Sequence, residues 1–163
     1  NHPGCSYMRL FRRATPDIYK ENDRIELGKG NVLRDGTDVT IIFSGVVLVS
    51  EVLAAAESLQ KEGISAAVID MHTVKPLDVD LVVKYAERTG AILTCENHQI
   101  MTGLGSAVAE TLGETVPTPM LRLGVQDEFG EVGPTDYLKE RFGLTAGNIV
   151  ARAKDVLTRK KGA

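Results

Sequence analysis

The chain has 163 residues, of which 43% are apolar and 25% are charged, as is ordinary for a soluble globular protein. This length favours one domain with room for an appendage. Lys and Arg number 19 against 22 Asp and Glu, so the net charge of −3 provides no basic field for nucleic acid or anionic lipid. The uncharged apolar stretch at residues 39–50 is too short to cross a bilayer.

Cysteine use and the C-terminal charges give two further expectations. Cys5 and Cys95 are too few for a disulfide framework, so we expect a reducing, cytoplasmic compartment. Cys95 stands in an apolar run and is predicted to be a buried thiol. The basic run at residues 159–161 is interpreted as a complement to a helix dipole, in preference to a contact for a polyanion.

Residues 1–37 differ in pattern from the rest of the chain. The stretch CSYMRLF (5–11) predicts a strand with no earlier strand to pair with. Together with the missing initiator Met, it indicates a fragment or a processed product. The stretch ATPDIYKEND (14–23) predicts an extended linker, and RIELGKGNVLRDGTD (24–38) predicts a β-hairpin with glycines near its turn.

From residue 38 onward, β-rich runs alternate with helical patterns about every 26 residues, as in the βα units of a parallel sheet. The first three runs are almost continuously apolar, which predicts strands covered on both faces. The four runs are VTIIF (39–43), SAAVID (65–70), AILTCE (91–96) and PMLRLG (119–124).

The helices are predicted from their apolar stripes and their end signals. The first pattern has its stripe within residues 49–59 and a glycine soon after it. Asp78 is the predicted N-cap of the second helix and Gly90 its stop. A third helix starts near Leu104, a fourth spans residues 134–142, and the last has Thr145 as its N-cap.

The stretch CENHQIMTGLGSAVAE (95–110) contains most of the reactive side-chain types. It starts a G-x-G pattern, but Val108 occupies the third glycine position and the loop follows the third strand of the series. The dinucleotide-binding fingerprint therefore fails on residue identity and on position. We interpret Gly103 and Gly105 as residues that permit a tight strand-to-helix turn.

Two histidines should lie at the carboxyl edge of the sheet, where α/β proteins place their sites. His72 follows the second run and His98 the third, and Glu96 precedes His98 by two residues. An acid/base pair is one interpretation. We favour the other, hydrogen bonding in loops at a domain border, because no nucleophile with a suitable base is nearby. A metal site is not expected, since His2 and the other two histidines lack ligand spacing.

Two further charged segments remain. The acidic loop DEFGEVG (127–133) precedes a helix, and its carboxylates are interpreted as helix caps. Arg12 and Arg13 follow the first predicted strand. A guanidinium there is equally compatible with a bond to a phosphate or carboxylate and with a solvated linker.

Residues 38–78, DVTIIFSGVVLVSEVLAAAESLQKEGISAAVIDMHTVKPLD, resemble the C-terminal domain of transketolases and their relatives. Those relatives include deoxyxylulose-phosphate synthase and the beta subunits of 2-oxoacid dehydrogenases. The stretch ENHQIMTGLGSAVAE (96–110) resembles the family's glycine loop, with Thr102 where a glycine is usual. Residues 128–153 resemble its terminal segment, and the resemblance covers about residues 25–160.

The resemblance implies a three-layer α/β/α fold with a mostly parallel five-stranded sheet, to which the hairpin adds an antiparallel strand. It assigns residues 1–20 to the tail of an upstream pyrimidine-binding domain with its linker, and residues 21–163 to the C-terminal α/β domain. In the family this domain serves assembly. The implied interface residues are Glu96, Asn97, His98 and Gly103.

The resemblance also implies thiamine diphosphate and Mg²⁺ in the full assembly, bound by regions that this chain lacks. No catalytic, cofactor-binding or metal residue is therefore assigned here. Arg12 and His98 are the candidate substrate-binding residues. One charge-assisted hydrogen bond contributes ~1.5–3 kcal/mol, whereas millimolar binding needs ~4 kcal/mol. We expect this chain alone neither to bind a sugar phosphate well nor to catalyse.

The favoured function is the assembly domain of a transketolase-type transferase of two-carbon ketol units between sugar phosphates. The expected partner is a thiamine-binding domain or subunit, in a homodimer or a heterotetramer, with no nucleic acid or membrane. Two alternatives remain open. One is the C-terminal domain of a 2-oxoacid dehydrogenase beta subunit, and the other is a non-catalytic regulatory module that binds a small anion.

Overall fold

The computed structural model describes residues 3–162, so that Asn1, His2 and Ala163 lie outside the described residues. A five-stranded sheet in the order β1-β3-β2-β4-β5 forms its middle layer. Strands β2 to β5 are mutually parallel and β1 runs antiparallel to β3, as the predicted fold class requires. The strands are β1 (Asn31–Arg34), β2 (Val39–Ser44), β3 (Ala66–Asp70), β4 (Ile92–Gln99) and β5 (Met120–Val125).

Helices cover both faces of this sheet. Helices α1 and α5 pack on one face and α2 and α3 on the other, while the short α4 follows β5. None of the helices within residues 3–162 combines the length and hydropathy that a membrane span needs. The helices are α1 (Val49–Lys61), α2 (Val79–Thr89), α3 (Leu104–Glu114), α4 (Thr135–Arg141) and α5 (Ala146–Lys161).

The central strand β2 explains why two helical layers are needed. Ile41 and Phe43 face the α1–α5 layer, and Ile42, between them, faces the α2–α3 layer. All three are buried, because successive side chains of a strand point to opposite faces. Each contributes roughly 1.5–3 kcal/mol by leaving water, so the strand is stable only with both faces covered.

The predicted end signals act as expected. The Asp78 carboxylate accepts a hydrogen bond from the Leu81 N–H at 3.3 Å, and α2 stops at Gly90, which has a φ of 59°. The Thr145 hydroxyl accepts from the Asn148 N–H at 3.4 Å. These bonds satisfy N–H groups that have no partner within their helix.

The predicted hairpin over residues 24–38 is wrong. Only β1 forms from that segment, and it pairs with β3. The preceding residues are held by α2, because Asp78 accepts from the Gly30 N–H at 3.1 Å and from the Lys29 ammonium at 3.3 Å. These bonds fix the path of the chain before β1, where a hairpin would need a second strand.

The strand predicted at residues 5–11 is also absent. This segment has no regular secondary structure and pairs with no strand among the described residues. Its apolar side chains are exposed, with Tyr7 at 90% and Leu10 at 79%. A single strand cannot satisfy its own N–H and C=O groups, so the apolar pattern alone does not create a strand.

Gly36 marks a close backbone approach at the start of the parallel sheet. A Cβ added there would overlap the backbone of β3 at Ala66 and Ala67. We expect Gly36→Ala to lower the free energy of unfolding by about 3 kcal/mol or more, because backbone atoms have no room to yield. Urea denaturation measures the loss.

Gly113→Ala is the matched control, since nothing lies within 4 Å of a Cβ added in this last turn of α3. It should stabilise the chain by about 0.5–1 kcal/mol, because alanine is the better helix former. Equal effects of the two substitutions would contradict the assigned approach of Gly36 to β3.

Candidate functional site

The residues Glu96, Asn97 and His98 lie in a bulge at the carboxyl end of β4. The sequence placed His98 in a loop, but β4 continues to Gln99. Its register with β5 passes from the Cys95–Leu123 pair to the Gln99–Val125 pair, so three residues of β4 face one residue of β5. Bulges of this kind redirect side chains at sheet edges and functional sites.

Glu96 is turned inward by this bulge and caps α3. Its two carboxylate oxygens accept from the Leu104 N–H at 2.8 Å and from the Gly105 N–H at 2.9 Å. The side chain is 3% exposed. The carboxylate therefore supplies the N-terminal cap that the helix lacks in its own sequence, and its charge complements the helix dipole.

Gly103 and Gly124 make room for this cap. A Cβ on Gly103 would overlap the Glu96 carboxylate, and one on Gly124 would lie 3.0 Å from the His98 carbonyl oxygen and 3.2 Å from the Glu96 Cγ. Sequence reasoning singled out Gly103 and missed Gly124. A glycine within a strand pattern indicates a bulge or a close approach, and Gly124 in the last predicted strand is such a residue. The sequence does not show that the approach is to the bulge of β4.

Asn97 links three segments of the carboxyl edge. Its carbonyl oxygen accepts from the Arg9 guanidinium at 3.1 Å. Its amide side chain occupies the space beside Gly45, where an added Cβ would overlap Oδ1 and where φ is 107°. The N-terminal segment and the end of β2 therefore both contact the bulge.

His98 is exposed, and its Nδ1 lies 3.1 Å from the Gln99 carbonyl oxygen. The Glu96 carboxylate is committed to α3, which disfavours an acid/base pair between the two. His72 follows β3, with Nδ1 at 2.9 Å from the Thr73 hydroxyl and a buried Nε2 that has no protein partner. His72 follows β3 and His98 lies in β4. Strand β2 lies between these two strands, which are therefore roughly 10 Å apart.

Arginines of the N-terminal segment contact the same edge. Arg13 donates to the Thr135 hydroxyl at 3.3 Å, and Arg9 contacts Asn97, while Arg12 has an exposed side chain. Sequence reasoning missed Arg9, which lies inside the predicted strand and not after it. The substrate-binding roles of Arg12 and His98 stay predictions.

The acidic loop before α4 does not cap that helix, so this interpretation is wrong. Pro134 precedes α4 without a side-chain cap. Glu128 and Glu131 instead bond the Arg141 guanidinium, each at 2.7 Å, near the other end of the helix. The loop is long enough to fold back along α4, and a two-site ion pair fixes it there.

Thr102, in the loop between β4 and α3, has an unusual backbone conformation. It has a φ of 64°, in the left-handed region that disfavours β-branched residues. Its N–H donates to the Ser106 hydroxyl at 2.9 Å. The transketolase family usually has glycine at the position of Thr102. The backbone conformation here explains that preference, because glycine adopts it without strain.

Burial and hydrogen bonding act in opposite directions on Glu96. Removal from water raises the pKa of its carboxyl, and the N–H groups of Gly105 and Leu104 oppose that rise. The net pKa is raised. Burial also raises the pKa of the Cys95 thiol, and the predicted buried thiol is confirmed.

The carboxyl edge does not fit the cofactor that the resemblance implies. Both oxygens of Glu96 are committed to α3, so this carboxylate is not available to a metal or to thiamine. Over residues 3–162, no group of three His, Cys, Asp or Glu side chains is placed to hold a metal ion. We assign no step through thiamine diphosphate or Mg²⁺ to the residues of this chain.

A mixed sheet with helices on both faces and a capped bulge at its carboxyl edge defines an α/β domain of three layers. Residues 28–149 match the family model described as transketolase, C-terminal domain. The chain therefore belongs to the transketolase C-terminal domain family.

Two curated relatives show the range of this similarity. The 6-deoxy-6-sulfo-D-fructose transketolase subunit SqwH of Clostridium sp. is 54% identical over 159 residues, which cover 98% of this chain and 49% of that protein. An apulose-4-phosphate transketolase subunit of Phocaeicola vulgatus is 42% identical, and the match covers 94% of this chain and 49% of that protein. The chain thus spans about half the length of the curated relatives it matches.

A solved structure supports the same assignment. A split gene transketolase, described as an inactive beta4 tetramer, superposes with a TM-score of 0.83 at 44% identity. The match covers 90% of this chain and 47% of that one.

The Glu96 cap leads to a pH-dependent prediction. Because the folded pKa lies above the ordinary value of 4.5, the Glu96 contribution to the free energy of unfolding is fully present below that pH. It falls as the pH rises through the folded pKa. Glu96→Gln should abolish this dependence, because the amide does not titrate. Below that range Glu96 is itself protonated and carries a hydrogen on one oxygen, so the variant should unfold with a free energy within about 1 kcal/mol of wild type.

Urea denaturation from about pH 4 to about pH 8 measures the difference between wild type and variant at each pH. Glu114→Gln, an exposed change at the end of α3, is the matched control and should leave the pH profile unchanged. Parallel wild-type and Glu96→Gln profiles would show that Glu96 is not the titrating cap.

Proposed function

We propose that this chain is the C-terminal assembly part of a thiamine-diphosphate-dependent transketolase, which transfers two-carbon ketol units between sugar phosphates in the cytoplasm. A thiamine-binding domain or subunit holds the cofactor and Mg²⁺, and this chain alone is inactive. The names of the relatives support a transketolase over a 2-oxoacid dehydrogenase. The free cysteines agree with a reducing compartment.

The distribution of exposed apolar side chains carries the proposal. The four connections at the opposite, amino edge are residues 35–38, 62–65, 90–91 and 115–119, and they contain no exposed large apolar side chain. Most of the exposed ones belong to segments at or next to the carboxyl ends of β2 to β5, whereas Val32 lies in the edge strand β1 and Ile25 and Leu27 in the segment before it. The larger group includes Tyr7, Met8, Leu10, Val46, Val74, Val79, Met101, Phe129, Val132 and Tyr137.

Such one-sided exposure is typical of a surface that a partner covers. The bonds of Arg9 to the Asn97 carbonyl and of Arg13 to Thr135 hold the N-terminal segment against the same edge. Phe129 and Val132 are almost fully exposed although the loop that carries them is fixed by Arg141. An ordered loop with outward apolar side chains is suited to contact with a second protein surface.

The geometry of the bulge supports its place at that border. The Glu96 cap orders the loop from Asn97 to Gly103 without contributing an exposed acid. His98 remains on the surface beside this loop. We therefore propose that the thiamine-binding region docks on the carboxyl edge, and that the native enzyme is a homodimer or a heterotetramer of the two parts.

Mixing this chain with the thiamine-binding region tests the assembly. Ketol transfer should appear only in the mixture, and Met101→Lys with Phe129→Lys should weaken association at least about tenfold, because two exposed anchors become charged. Thr115→Lys, a polar surface position at the amino edge, is the control. Ketol transfer by this chain alone, or equal association of both variants, would contradict the proposal.

The same reconstituted enzyme tests the substrate residues. Arg12→Ala and His98→Ala should each raise KM for a sugar phosphate by about tenfold, the loss expected for one charge-assisted bond, with association unchanged. Lys61→Ala is the control, because it removes an exposed cation in the last turn of α1, by the amino edge. Unchanged kinetics in both test variants would overturn the site assignments.

A further inference from the structure

A groove of about 650 Å³ runs along the free edge of β5, between α3 and α5. One wall is formed by Ser106, Ala109 and Glu110 of α3, and the floor by Met120 and Leu121. The other wall carries Arg152 and Arg159 of α5, and Arg122 of β5 completes the lining. This volume suits a small molecule larger than a single phosphate ion.

The groove is cationic in a chain whose net charge is −3. It gathers three guanidinium groups against the single carboxylate of Glu110. Among the described residues, Arg122, Arg152 and Arg159 form no ion pair, although eight other ion pairs occur there. Neither Glu110, in the groove wall, nor Asp155, on α5 between Arg152 and Arg159, forms an ion pair with these groups within residues 3–162, so their N–H donors remain open to a ligand.

Arg122 is positioned more firmly than the other two. Its Nη1 donates to the Ile100 carbonyl oxygen at 3.0 Å and lies 3.4 Å from the Ser106 hydroxyl. Arginine has five N–H donors, so Arg122 retains donors beyond this anchored nitrogen. One half-buried guanidinium is thus held at the inner end of the groove.

Arg152 and Arg159 lie seven residues apart on α5, so they share a face and are separated by roughly 10 Å along the helix axis. A single phosphate meets both only if the two long side chains converge on it, whereas a ligand with two separated anionic groups meets each guanidinium where it lies along the helix. The apolar atoms of Met120, Leu121 and Ala109 between the charged walls suit an uncharged body.

The geometry points to this groove as a binding site for a small organic bisphosphate, with one phosphate near Arg152 and the other near Arg159. The sequence alone favours the basic run at 159–161 as a complement to the α5 dipole. In the structure two residues of this run have different contacts. Lys160 donates to the Thr89 carbonyl oxygen at 2.8 Å, whereas Arg159 lines the groove. The site lies on the β5 edge and is separate from the proposed substrate residues.

Isothermal titration calorimetry of the full chain with fructose 1,6-bisphosphate at low salt tests the site. Inorganic phosphate should bind at least about tenfold more weakly, because it satisfies one arginine, and fructose should not bind measurably. The affinity for the bisphosphate should fall as salt rises, since the contacts are between exposed charges.

Arg152→Gln with Arg159→Gln should weaken bisphosphate binding by about a hundredfold, roughly tenfold for each lost charge-assisted contact. Lys154→Gln with Lys161→Gln is the matched control, because it removes the same charge from the same helix outside the groove. The control should bind within about threefold of wild type, allowing only for the change in net charge.

Amide chemical shifts locate the bound ligand. Shifts confined to Ser106, Arg122, Arg152 and Arg159 with their neighbours would support the site. The proposal is overturned if the bisphosphate does not bind, if the two double variants bind it equally, or if the shifts map to Arg12 and His98. Displacement by an extended acidic peptide of higher affinity would also overturn it, in favour of a protein partner on the β5 edge.

Discussion

The capping of α3 by the buried carboxylate of Glu96 is the interaction on which the carboxyl edge of this domain depends. It joins the end of β4 to the helix that follows, and it fixes the short loop between them. The carboxylate meets two N–H donors that have no partner within the helix, which partly offsets the cost of taking its charge out of water. Gly103 and Gly124 are then required by space, because each lies against this side chain.

The carboxyl edge of the sheet is ordered, and most of the exposed large apolar side chains also lie there. The two helical layers cover the faces of the sheet, so that its core needs no partner. The carboxyl edge is different, since its loops are held by ion pairs and backbone bonds while their apolar side chains point outward. The proposed assembly role rests on this combination of a covered core with apolar side chains exposed at one edge.

Much of the fold follows from patterns that are local in sequence. The continuous apolar runs predict strands buried on both faces, and Asp78, Gly90 and Thr145 predict helix ends, because these signals act within a few residues. The two failures of strand prediction share one cause. The hairpin at 24–38 and the strand at 5–11 needed partners, and the pairing of a strand depends on residues distant in sequence.

The site shows the same division. By itself the sequence determined which residues stand at the carboxyl edge, since strand ends and the glycine loop can be recognised from spacing. Only the tertiary structure decided that Glu96 turns inward to cap α3 while His98 stays exposed, and that Arg9 contacts this edge. The physical reason is the bulge between β4 and β5, whose register arises from packing between two strands that lie about twenty-five residues apart in the chain.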